Sequence, residues 1–167
     1  MRQSAKPGQC GPARGAEAVT LALQHYADRG VFKGFSSRQG PGGRLDFRFT
    51  WLTPRPTMLS YDPPARLITF RNLLPGLRSK SALLVDVKAL IDERAGRAIL
   101  GHKRIDPRRV ELGCSVRRGQ VSVTLTVRGK HHDYAVRKGL NLVNDIFVLL
   151  HSTYPDYLSE HFGLPAD

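Results

Sequence analysis

The chain reads as an α+β fold, α-βββ-α-βββ-α in order, an antiparallel sheet with helices packed on one face. Two observations predict that class. The strand-like segments alternate apolar and polar residues and follow one another across short turns, so neighbours pair antiparallel and turn one face to a core. The second observation is Gly139 to Gly163, GLNLVNDIFVLLHSTYPDYLSEHFG, where Val143, Ile146, Phe147, Leu150 and Tyr154 recur at helical spacing and Leu142 and Leu149 form a second strip. A helix apolar on so much of its circumference needs cover from a sheet and from something else besides.

Taken in order, residues 1–14 hold Gly, Pro, Ser and three basic side chains with little to bury. They are expected to form a disordered basic arm ahead of one α+β domain spanning 15–167. Ala16 to Arg29 carries Val19, Leu23 and Tyr26 on one helical face, and Gly30 is placed to end it. Val31, Phe32 and Phe35 tuck that exit against the core, and SSRQGPGGR reads as a loop.

Leu45 to Leu52 alternates cleanly, with Leu45, Phe47, Phe49 and Trp51 inward and Asp46, Arg48 and Thr50 outward. Thr57 to Tyr61 and Arg66 to Leu73 complete a first set of three strands, separated by proline-rich breaks that remove ladder donors. Leu67, Thr69 and Arg71 share a face of the last one. After Pro75-Gly76, Ser79 or Ser81 caps a helix running to about Ala95, built on Leu83, Leu84, Val87, Leu90 and Ile91.

Residues 97–109 read as a basic loop. Val110 to Arg117 and Gln120 to Arg128 flank Arg118-Gly119, a two-residue hairpin turn. His131 to Arg137 is expected as the third arm of this meander, leading into the long helix with Asn141 as its cap. Pro155 then interrupts that helix, and Pro155 to Phe162 forms a short last one closed by Gly163. Lys80…Leu84-Val85-Asp86 and Lys138…Leu142-Val143-Asn144 match locally, which raises internal duplication of a βββα unit.

The charge is the most unusual property. Lys+Arg 26 against Asp+Glu 14 gives +12. From Gly139 onward there are four acids and no Lys or Arg, so residues 1–138 carry all 26 bases and ten acids, a balance of +16. Such a field draws polyanions and raises their association rates. No uninterrupted apolar run approaches the ~18 residues of a membrane span. The N-terminus lacks the apolar stretch of a secretory signal, so the cytoplasm is the expected compartment. Cys10 and Cys114 are then two free thiols, not a disulfide framework.

Chemical motifs are sparse. His131-His132-Asp133 lacks the further ligands at recognised spacing that a metal needs, and reads as a solvated strand start. Gly40-Pro41-Gly42-Gly43 lacks the spacing and following helix of a phosphate loop. No nucleophile elbow is present, so catalysis would rest on His131, His132 or His151 gathering in one pocket. Asn141, Asn144 and Asp145 read as a cap and a solvated polar stripe. No cofactor is expected.

The basic residues therefore carry the functional expectation. Arg71, Arg78, Lys80, Arg104, Arg108, Arg109, Arg117, Arg118, Arg128, Lys130, Arg137 and Lys138 are expected to merge into one positive rim, because meander turns collect on shared sheet edges. A sheet face showing Arg48, Thr50, Arg71, Thr124, Thr126 and Arg128 suits a phosphate backbone. No exposed aromatics interleave these residues, so stacking on bases is not expected. The expected function is non-catalytic binding of an anionic partner, nucleic acid first, through phosphate contacts. The alternative is a protein-binding or chaperone-like homodimer using the apolar sheet or helix surface.

Overall fold

The computed structural model of the chain describes residues 12–99 and 101–165. The elements run α1 (Pro12–Asp28), β1 (Lys33–Gln39), β2 (Leu45–Thr50), β3 (Thr57–Asp62), β4 (Leu67–Leu74), α2 (Ala82–Arg94), β5 (Val110–Arg117), β6 (Gln120–Val127), α3 (His132–Thr153) and α4 (Pro155–Phe162). The six strands form one antiparallel sheet in the order β1-β2-β3-β4-β6-β5, so the α+β class read from the sequence holds.

Alternation decides the inner face. Phe47, Phe49, Leu59, Tyr61, Ile68, Phe70, Val121, Val123, Leu125 and Val127 are buried beneath the helices. α3 is the centre of the helix layer, with α1, α2 and α4 packed on it and β6 beneath it. Its two apolar strips are thus both covered, as their breadth requires. Gly139 is where helix and sheet come closest: a Cβ there would meet Phe70 at 3.0 Å and Leu125 at 3.3 Å.

Local signals behave as their chemistry dictates. The Ser81 side chain accepts from Leu84 N at 3.3 Å and starts α2. Gly163 adopts φ 65° and closes α4. Arg118 and Gly119 both take positive φ, as a type I′ hairpin turn demands.

Five expectations are corrected. His131–Arg137 is not a strand: α3 starts at His132, and His132, Ala135, Val136, Gly139 and Leu142 continue its buried stripe. The short stretch HDYAV satisfies both periods, and the stripe running on through Gly139 decides for helix. Asn141 accordingly lies inside the helix, exposed, and caps nothing. Lys33–Gln39 is a strand where the sequence reads as a helix exit and a loop. It is an edge strand whose backbone pairs with β2 and which commits only Phe35 to the core, so no alternation marks it. α1 begins at Pro12, so residues 12–14 belong to a helix, and the rest of the expected arm lies outside the described residues. With four strands before α2 and two after it, the order is not that of two βββα units.

Candidate nucleic-acid interface

The face of the sheet away from the helices carries short polar side chains and arginines. Register places Arg38, Asp46, Ser60, Thr69, Thr124 and Gly113 in one row across all six strands. The next row towards the β5–β6 turn holds Ser36, Arg48, Met58 and Arg71. In the opposite direction lie Asp62, Leu67, Thr126 and Glu111. Arg71 is exposed, with an Asp46 carboxylate 3.8 Å away that also pairs with Arg44.

A break in the ladder shapes the lower half of this face. The β4–β6 register shifts between Phe70 and Leu74, and Asn72 takes φ 49°. Asn72 N donates to Ser122 Oγ at 3.0 Å, while Arg55 Nη2 donates to Asn72 O at 3.3 Å. The displaced backbone brings Arg55 beside Arg48, Met58 and Arg71 around an open cavity of about 430 Å³. Arg55 and Asn72 escape sequence reasoning: one sits in a proline-flanked break, and the other reads as an ordinary strand residue.

The twelve expected basic residues do not form one rim. Arg78, Lys80, Arg117 and Arg118 gather at the end of the sheet with the β5–β6 turn, where Leu77 N donates to Gly119 O at 2.8 Å. All four are exposed, and none has an acidic partner among the described residues. Arg71 reaches the same half of the open face.

The other end, where β6 leads into α3, holds Arg108, Arg109, Arg128, Lys130, Arg137 and Lys138. Arg128 N donates to Arg109 O at 2.9 Å, which joins the two flanking segments. The eight residues of β6 separate the two ends by ~23 Å. Arg104 lies in the α2–β5 connection, half-buried, its Nε without a hydrogen-bond partner among the described residues.

At this second end the protein uses most of its own cations, and Lys130 alone of the six stands exposed with neither an acidic partner nor an aromatic ring against it among the described residues. Arg108 and Arg109 pair with Asp106, whose carboxyl is held below its usual range by hydrogen bonds from Arg108. Arg128 pairs with Glu111 at 3.3 Å. Arg109, Arg137 and Lys138 surround the Tyr134 ring at 5.0, 5.7 and 5.5 Å from its centroid. Arg66 donates to the backbone carbonyls of Val127, at 3.2 Å, and Gly129.

The histidines do not assemble a site. His132 is buried and shares a 2.9 Å hydrogen bond with the Tyr61 hydroxyl. Burial, then the charges of Arg66 and His131, hold its pKa below the ordinary value. α1 crosses close above this pair, since a Cβ at Gly15 would stand 2.5 Å from the Tyr61 hydroxyl. His151 lies 19 residues further along α3, ~28 Å away along the axis, and is exposed. Among the described residues no three His, Cys, Asp or Glu come together as a metal site would need. No described helix is long and apolar enough to cross a membrane.

Comparison of the chain with protein-family models, with curated proteins and with solved structures finds no match.

Proposed function

We propose that the chain binds the phosphate backbone of nucleic acid along the lower half of its open sheet face. Arg71, Arg78, Lys80, Arg117 and Arg118 make the phosphate contacts, with Arg48 and Arg55 beside them. One observation carries the reading: a tract of exposed guanidinium and ammonium groups, nearly all without acidic partners among the described residues, borders a face of Ser and Thr hydroxyls that no described helix covers. Cations left unpaired in water lose little on meeting a phosphate and release its counterions. Recognition is backbone-led, because Phe47 and Phe49 are spent in the core and Trp51 packs edge-on against Phe32.

If five contacts form, log K falls with log salt at a slope of about −4.5, which is roughly a 500-fold loss of affinity between 50 and 200 mM salt. Filter binding with duplex and single-stranded oligonucleotides measures that slope. Absence of binding at low salt ends the proposal.

A second reading rests on a different observation, the open edge at β5. The homodimer expected from the apolar surplus of the long helix loses that ground, since α1, α2 and α4 take the surplus up. The two sheet edges, however, are unlike. β1 is guarded by an irregular register, Gly34 at φ 62° and Lys33. β5 keeps unbroken register with β6 from Val110 to Arg117 and contains no Pro or Lys. A two-fold axis at Cys114 would set Glu111 against Arg117 of a second copy on the open face, and Leu112 against Val116 on the other. Sedimentation tests it: Glu111→Arg should give a monomer, and Glu111→Arg with Arg117→Glu should restore the dimer. A wild-type monomer at micromolar concentration removes this reading.

A further inference from the structure

A second concavity lies on the helix side of the molecule, away from the tract above. It has a volume of about 150 Å³ and is bounded by the end of α2, the connection to β5 and one stripe of α3. Its walls include Arg94, Lys103, Lys138, Asn141, Asn144 and Asp145. Lys138, Asn141 and Asp145 recur on α3 at spacings of three and four, so the helix presents them on one side. In sequence Asn141, Asn144 and Asp145 read as a cap and a solvated polar stripe, and Lys138 as part of a positive rim. The fold instead withdraws both cations from water: Arg94 is 6% and Lys138 9% exposed.

The pairing of these two cations is incomplete. Arg94 Nη2 meets Asp145 Oδ2 at 3.0 Å, but Arg94 Nε is buried with no hydrogen-bond partner among the described residues. Lys138 Nζ donates to His102 O at 2.7 Å and faces the Tyr134 ring, which leaves at least one of its three N–H groups to satisfy. Three cations, Arg94, Lys103 and Lys138, line the space against one carboxylate, a local balance of +2 among these groups. Buried charge is costly unless paired and hydrogen-bonded, and the described residues supply only one acid here. Two asparagine side chains on the rim add neutral donors. The volume is well above the ~10–15 Å³ that a single water requires, so a small oxyanion has room.

We propose that this pocket binds a phosphate group, either free phosphate or the phosphoryl end of a small molecule. Arg94 and Lys138 meet its charge from the interior, Lys103 from the rim, and Asn141 and Asn144 donate to its remaining oxygens. Asp145 holds Arg94 in place and, as the one acid present, limits the affinity. Burial, with Arg137 and Arg109 nearby, presses the Lys138 ammonium below its usual pKa, and a bound anion would oppose that pressure.

The test titrates the full chain with inorganic phosphate against chloride at matched ionic strength, following the melting temperature and backbone amide shifts. The expected result is a saturable phosphate response, with shifts centred on residues 141–145. Lys138→Met should weaken it at least tenfold. Asp145→Asn should act in the opposite direction, tightening binding by removing the competing carboxylate. A merely structural role for the Arg94–Asp145 pair would not tighten binding. A parallel titration with a sugar monophosphate separates the sources: tighter binding than inorganic phosphate points to a phosphorylated small molecule, equal or weaker binding to free phosphate. Should Lys138→Met fail to fold, Asn141→Leu on the exposed rim replaces it, with the same loss expected. Responses to phosphate and chloride that coincide, or shifts centred on Arg117–Gly119, overturn the proposal.

Discussion

Both ends of the sheet carry a cluster of basic side chains, and they differ in what most of those side chains are doing. At the β5–β6 turn, Arg78, Lys80, Arg117 and Arg118 stand in solvent without acidic partners among the described residues. Where β6 enters α3, Arg66 bonds to backbone carbonyls, Arg108, Arg109 and Arg128 meet carboxylates, and Arg137 lies against an aromatic ring. Net charge counts these groups alike. For a polyanion they are not alike, because a cation already held by the protein must give up a partner before it can gain a phosphate. Composition therefore overstates the available positive surface, and the fold divides it.

The largest expected effect breaks this asymmetry directly. Arg117→Glu with Arg118→Glu should lower affinity for an oligonucleotide by about 100-fold at low salt and reduce the salt slope by about 2. The matched pair at the other end, Arg108→Glu with Arg109→Glu, should change the slope by less than 1. Equal losses from the two double variants would show that long-range charge, not the free tract, holds the ligand.

The next effect is on stability and belongs to the end that holds its own cations. The Tyr134 hydroxyl accepts from Asp106 N at 3.0 Å while the ring underlies Arg109, Arg137 and Lys138. Tyr134→Phe keeps the ring and strands that amide, for a cost of about 1–2 kcal/mol. Tyr134→Leu removes the ring as well and should cost more by thermal or urea unfolding. Neither should alter the salt slope of binding, since the free tract is ~23 Å distant.

Much of this arrangement is legible in the sequence, and the failures share causes. Alternation in Leu45–Thr50 and Gln120–Val127 names both faces of the sheet correctly, because one face is buried and period 2 leaves no freedom. Arg48, Arg71, Thr124 and Thr126 fall on the open face by the same rule. Strand β1 is invisible because an edge needs backbone pairing and little else, and KGFSSRQ offers no pattern to read. The His131–Arg137 stretch is misread because a glycine inside a helix looks like its start. Gly139 is there so that α3 can approach Phe70 and Leu125. The single positive rim fails because turn positions are local, whereas the end of the sheet each turn occupies depends on strand order. Nothing local marks Arg94 as buried, since its burial follows from the α2–β5 connection folding back on α3.

The smallest effect is a titration at the α3 end, and it sharpens the contrast because the free tract has no counterpart. His132 is buried against Tyr61, and burial together with Arg66 and His131 lowers its pKa. The unfolded chain takes up a proton near the ordinary value of ~6.5, while the folded chain resists until a lower pH. The unfolded state thus binds more protons in that window, and stability must rise with pH across it. The contribution is complete above pH ~6.5 and is lost progressively as pH falls through that value towards the folded one. Melting temperatures should be flat from pH 8 to 7 and decline towards pH 5. His132→Gln keeps a hydrogen-bonding partner for Tyr61 and removes the titration, so its decline should be shallower than that of the wild type. Parallel profiles for the two proteins would mean that protonation elsewhere sets the acid sensitivity and that the His132–Tyr61 pair is only packing.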